Sequence, residues 1–119
     1  MNTDALVLIT ALVRPHMEGR VVGALHDLDE FPGFFVAGVR GQGRGRGAGG
    51  AYVSLESELT YHELVKFEIV CSAASADAIS ATIVEAAWTG RKGDGVVFRT
   101  PVLNFGRIRE LGAQREAST

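Results

Sequence analysis

The spacing of apolar and polar positions changes several times along the chain. Residues 5–13, ALVLITALV, form an unbroken apolar run rich in branched side chains, which predicts a strand covered on both faces. Pro15 stops that strand, and its fixed φ suits the first turn of a helix. In HMEGRVVGALHDLDE (16–30), Val21, Val22, Leu25 and Leu28 recur at helical spacing, with Glu18, Arg20, Asp27 and Asp29 left for solvent. FPG at 31–33 is a turn signal, and FFVAGVR (34–40) is a second strand. After a polar, acidic stretch from Tyr52 to Glu63 comes LVKFEIVC (64–71). There Val65, Phe67 and Ile69 alternate with Lys66 and Glu68, as in a half-buried strand. A second helix is predicted over Ser75–Trp88, with Ser75 as its cap, Ile79, Ile83, Ala86 and Ala87 as its stripe, and Gly90 ending it. GVVFRTPV (95–102) is a fourth strand, NFGRIREL (104–111) a shorter extended piece and GAQREAST (112–119) a loose tail.

The order strand–helix–strand, long loop, strand–helix–strand predicts an α+β fold. Its economical form is a ferredoxin-like βαββαβ sandwich, one four-stranded antiparallel sheet with two helices on one face. The 119 residues suffice for one core and not for two. The sheet's second face also carries apolar side chains with no third layer to cover them, so self-association is expected.

Charge narrows the partners. The chain is 46% hydrophobic and 22% charged with a net charge of −2, ordinary globular values and a poor footprint for a nucleic-acid binder. Basic residues are nonetheless clustered: Arg40, Arg44 and Arg46; Arg91 and Lys92; Arg107 and Arg109. Such small patches suit one small anion better than a long polyphosphate. The single Cys71 has no intrachain partner and sits in an apolar run, which predicts a buried small hydrophobe and a reducing compartment. No apolar stretch reaches spanning length and no basic segment precedes the first apolar run, so a cytoplasmic protein is expected. His16, His26 and His62 are scattered without a nucleophile beside them, which argues against an enzyme.

Two glycine-rich stretches lie at the sheet's edges. VRGQGRGRGAGG (39–50) leaves the second strand, and TGRKGDG (89–95) leaves the second helix. Glycine tolerates positive φ and close approach to a ligand. Successive amides in such turns make a concave site for phosphate oxygens, and arginine adds bidentate charge. In an extended strand, "RIR" would send Arg107 and Arg109 to one side.

These blocks resemble the P-II nitrogen-regulatory family. "ALVRPH" is similar to that family's opening, "VRGQGRGRG" to the base of its long T-loop, and "VKFEIV" to the strand that follows. "TGRKGDGVVF" is similar to its B-loop, and "RIR" to its C-terminal arginine pair. The resemblance covers nearly the whole chain, as a domain over 1–112 with the T-loop at about 41–63, the B-loop at 89–95 and a flexible tail at 113–119. It implies a homotrimer that binds adenine nucleotide between subunits and regulates a membrane transporter or an enzyme through its T-loop, with no prosthetic group. The residues carried over are Gly41, Gly43, Arg44, Glu68, Val70, Gly93, Asp94 and Gly95, with Arg107 and Arg109 supplied by the adjacent subunit. The trimer's centre would cover the open sheet face.

Departures from the family pattern qualify the ligand. The T-loop glutamine that binds Mg²⁺ and 2-oxoglutarate is replaced by Gly45. The lysine before the third strand is replaced by Leu64, and the lysine closing the B-loop by Val96. The modified tyrosine aligns with Ser57, and Tyr52 matches only the first tyrosine of that motif. Losing two ammonium groups weakens ATP and 2-oxoglutarate most, since both depend on charge-assisted contacts. The expected ligands are ADP or AMP, at least as well as ATP, with a small oxyanion such as bicarbonate at Gly45 and Arg46. An alternative is metal-responsive control of an efflux or cation-tolerance system, through His62, Glu63, Glu58 and Glu56. RNA binding by the Gly-Arg run is disfavoured, since no aromatics interleave with the arginines.

Overall fold

The computed structural model describes residues 5–42 and 61–117. In chain order they form β1 (Leu6–Val13), a 3-10 turn (Pro15–Met17), α1 (Glu18–His26), β2 (Phe35–Gly41), β3 (His62–Ser72), α2 (Ala73–Ala87), β4 (Gly95–Val102) and α3 (Ile108–Ala117). The strands make one antiparallel sheet in the order β2-β3-β1-β4, the ferredoxin-like arrangement expected.

Register decides which residues meet. Pairing Ile9 with Ile69, Ala11 with Phe67 and Val13 with Val65 puts the odd positions of both central strands on one face. There they pack with Val21 and Leu25 of α1 and with Ala76, Ile79, Ile83, Ala86 and Ala87 of α2 into a single core. Phe67, Ile9, Leu25, Ile69, Ile83 and Val21 are its largest fully buried side chains, each contributing about 1.5–3 kcal/mol by leaving water. Cys71 is buried here as expected, and this burial raises its thiol pKa, against a smaller opposing effect of Arg99. Arg99 on β4 also ties the sheet to α2 through Asp77, at 2.9 Å.

Within the chain β1 is covered on one face only, so the expectation of two covered faces fails for the single copy. On the other face, Phe98, Thr10, Glu68 and Phe35 form one row across the four strands. Phe35 is 76% exposed and Phe98 50%.

Two local expectations need correction. The α2 cap is Ser72, whose Oγ accepts the Ser75 amide; Ser75 lies inside the first turn. Ser72 holds this place because it is the last residue in extended backbone, where a cap's oxygen can reach forward. The second correction concerns the C-terminal segment. Residues 108–117 form helix α3, where an extended piece and a loose tail were expected. No residue of α3 is buried. Its Glu, Gln, Ala and Arg content favours helix locally, which a period-two reading of "RIR" overlooked.

Candidate functional site

The site begins where β1 and β4 meet. Val13 pairs with Gly95, so the residues just beyond, Arg14 and Asp94, face each other across the sheet's end. Arg14 precedes Pro15, which restricts it to extended backbone (φ −63°, ψ 143°). From there its guanidinium reaches the loop 89–95. Nε donates to the Gly93 carbonyl at 3.0 Å, Nη2 donates to the Lys92 carbonyl, and Nε lies 3.5 Å from Asp94 Oδ1.

Asp94 closes the loop from the other side. Its carboxylate accepts the Thr89 amide at 2.7 Å, the Thr89 hydroxyl and the Gly90 amide at 3.2 Å. Thr89 Oγ1 in turn accepts the Arg91 amide at 3.2 Å. The bonds from the Thr89 hydroxyl and amide, helped by the Gly90 amide and Arg14, hold the Asp94 carboxyl below the ordinary aspartate range, against a smaller opposing desolvation. The carboxylate is thus turned into the loop and engaged there. Gly95 has φ +119°, and a Cβ built on it would stand 1.8 Å from the Leu12 carbonyl oxygen. Only glycine fits that position.

The side chains of Arg91 and Lys92 are exposed. Trp88, the only tryptophan, stands exposed directly before the loop with its ring against Gly90. Glu68 and Val70 lie on the sheet's open face; Glu68 Oε1 is 3.5 Å from Lys66 Nζ. Leu64 and Val96 are on this face too.

The expected T-loop is rooted on a paired base. β2 and β3 remain in register to Gly41 opposite His62, and the Arg40 guanidinium lies 5.5 Å from the Tyr61 ring centroid. Gly43, Arg44, Gly45, Arg46, Tyr52, Glu56, Ser57 and Glu58 lie outside the described residues.

Among the described residues, neither Arg107 nor Arg109 makes a hydrogen bond or ion pair with this loop. Arg107, just before α3, lies over the Phe105 ring at 6.0 Å, and Arg109 is in the first turn of α3; both are exposed. Around them Leu103 is 100% and Ile108 90% exposed. Among the described residues no three metal-ligating side chains converge, and no helix is long and apolar enough to cross a membrane.

Sequence reasoning singled out Asp94 and the loop glycines but missed Arg14 and Thr89 as their organisers. The signals were present: an arginine locked before a proline, and a threonine five residues before an aspartate. Their meaning depends on the β1–β4 register.

Comparisons with known proteins bear on the family and the fold. A family model described as "Nitrogen regulatory protein P-II" matches residues 6–111. The nitrogen regulatory protein GlnK2 of Haloferax mediterranei is 31% identical over 116 residues, covering 98% of this chain and 94% of that protein. The nitrogen regulatory protein P-II of Synechocystis sp. is 35% identical over 109 residues, 92% of this chain and 96% of its own. Among solved structures, that of Arabidopsis thaliana PII bound to citrate superposes with a TM-score of 0.70 at 30% identity, covering 89% of this chain and 85% of the other.

Proposed function

Given that this chain belongs to the P-II family of nitrogen regulatory proteins, we propose that it reads an adenine nucleotide, ADP or AMP at least as well as ATP, in clefts between subunits. P-II proteins are trimeric signal-transduction regulators of transporters and enzymes, and this chain, as one of them, is not an enzyme.

The observation that carries the nucleotide reading is that the site is half built. One chain supplies a tightly bonded glycine loop with two exposed cations, while Arg107 and Arg109 are exposed and make no hydrogen bond or ion pair with it. A second copy can bring that pair to the loop, which places phosphates at a subunit boundary. The citrate held by the Arabidopsis relative is likewise a polyanion. Asp94 enters binding through its backbone, because its carboxylate is engaged within the loop. Glu68 and Val70 would flank the base, and Gly41, Gly43 and Arg44 would close the cleft from the T-loop's root.

Leu64 and Val96 put apolar groups where charge-assisted contacts to ATP and 2-oxoglutarate would form. The protein therefore favours the less charged nucleotides, does not sense 2-oxoglutarate, and is not modified at Ser57 as relatives are at tyrosine. Bicarbonate near Gly45 and Arg46 is the co-ligand in this reading, and nucleotide occupancy orders the T-loop for docking on its target in the cytoplasm.

Calorimetric titration of ADP, without and with bicarbonate, tests it. Micromolar binding at one site per chain is the expected result, and tighter binding with bicarbonate supports the co-ligand. Tight 2-oxoglutarate binding in the presence of ATP and Mg²⁺ would overturn the ligand assignment.

A further inference from the structure

Three oxygens converge at the base of the B-loop: the carbonyls of Lys92 and Gly93 and the carboxylate of Asp94. All three carry negative charge or the negative end of a dipole, and by themselves they would repel one another. Among the described residues the cation that touches them is Arg14, which comes from the far end of β1 and not from the loop itself.

Peptide planarity turns this contact into a statement about the loop's other side. No peptide bond here is cis, so each amide N–H points opposite the carbonyl of its own peptide unit. Because Arg14 draws the carbonyls of Lys92 and Gly93 toward itself, the N–H groups of Gly93 and Asp94 face away from it. They point to the side opposite the guanidinium. Gly93, at φ +87°, makes the reversal possible, and a Cβ there would stand 3.2 Å from the Arg14 guanidinium.

We infer that Arg14 is the positioning residue of the phosphate site: by holding two successive carbonyls it turns two successive amides outward as an anion-binding concavity. The inference rests on the reading of the B-loop as a phosphate site. Arg14 itself does not touch the ligand. Its charge is balanced by Asp94, and its donors are directed at the loop's inner side. The fork shape matters, because Nε and Nη2 bond two carbonyls at once; a lysine at this position offers one ammonium that cannot span both in the same geometry.

The test is amide NMR of the ¹⁵N-labelled full-length chain as wild type, Arg14→Ala and Arg14→Lys, each titrated first with pyrophosphate and then with ADP. In the wild type, pyrophosphate should shift the Gly93 and Asp94 amides. In Arg14→Ala those shifts should vanish, the Thr89 and Gly90 amides should lose protection from exchange, and ADP affinity should fall about tenfold or more, the weight of one charge-assisted bond. Arg14→Lys should recover part of the affinity, with core amides unchanged. If Arg14→Ala fails to fold, Arg14→Lys still decides, since an unaltered pyrophosphate response there would overturn the inference. So would an unaltered response in Arg14→Ala, or a wild type whose Gly93 and Asp94 amides ignore saturating pyrophosphate. A wild type that responds to pyrophosphate but not to ADP would defeat the nucleotide reading and leave the role of Arg14 standing.

Discussion

The B-loop and the C-terminal arm carry the two cationic halves of one candidate site, yet they are built in opposite ways. In residues 89–95 the loop is bonded within the chain: Asp94 with Thr89 and Gly90, and the Lys92 and Gly93 carbonyls with Arg14, while Gly95 leaves no room for a side chain beside the Leu12 carbonyl. In residues 103–117 apolar side chains stand in water, and α3 buries none of its residues. The first segment is finished by its own fold. The second is helical but buries none of its residues within the chain, and the sheet face beside β4 is open as well. If the proposed site is assembled in this way, one half is preorganised and the other comes from a neighbouring copy, so ligand binding would depend on assembly.

Substitutions that break this contrast should have effects graded by how tightly each segment is held. Gly95→Ala should be the most severe, because its Cβ has no room and its φ is positive. A loss of about 3 kcal/mol in urea unfolding is expected, the upper range for backbone strain. In the C-terminal arm, Arg109→Ala should weaken ADP binding by about tenfold, one charge-assisted contact, while leaving the melting temperature unchanged. Trp88 emission, reporting from beside Gly90, gives a direct readout of that titration. A fall in melting temperature with unchanged affinity would mean the arm is structural.

The pH dependence of the B-loop follows from Asp94. Its carboxyl is held below the ordinary aspartate range, so the native loop binds fewer protons than the unfolded chain through that window. The stabilisation is fully present above about pH 4 and is lost as the pH falls through and below that value. Exchange protection of the Thr89 and Gly90 amides should drop accordingly, and Asp94→Asn should abolish the pH dependence. The smallest effect is expected at Gly112 in α3, where a Cβ meets nothing within 4 Å. Gly112→Ala should raise local helicity, by a propensity gain of about 0.5–1 kcal/mol. It should leave global unfolding unchanged, because no residue of α3 is buried. A marked rise in the unfolding midpoint would show that α3 docks.

Much of the fold could be read along the chain. Alternation in VKFEIVC predicted which side of β3 is buried, and helical spacing picked out Val21, Leu25, Ile79 and Ile83. These are short-range consequences of strand and helix geometry, in which every second or every third to fourth residue shares a face. The glycines of the B-loop were also legible, because positive φ is a property of single residues. The α2 cap was misplaced by three residues, and α3 was missed, because a charged, unburied helix has no apolar stripe to announce it.

What the linear order could not determine was partnership at a distance. Arg14 and Asp94 are eighty positions apart, and nothing local to either one indicates that they share a loop. Their meeting is a consequence of antiparallel register: once Val13 lies opposite Gly95, the next residue of each strand is placed by the strand repeat. The sequence by itself determined the elements, the buried face and the glycine turns, since those depend on local backbone and side-chain preference. The tertiary structure alone decided that an arginine at the end of the first strand holds the carbonyls of a loop before the last. It also decided that two other arginines, Arg107 and Arg109, are left exposed, the first over the Phe105 ring.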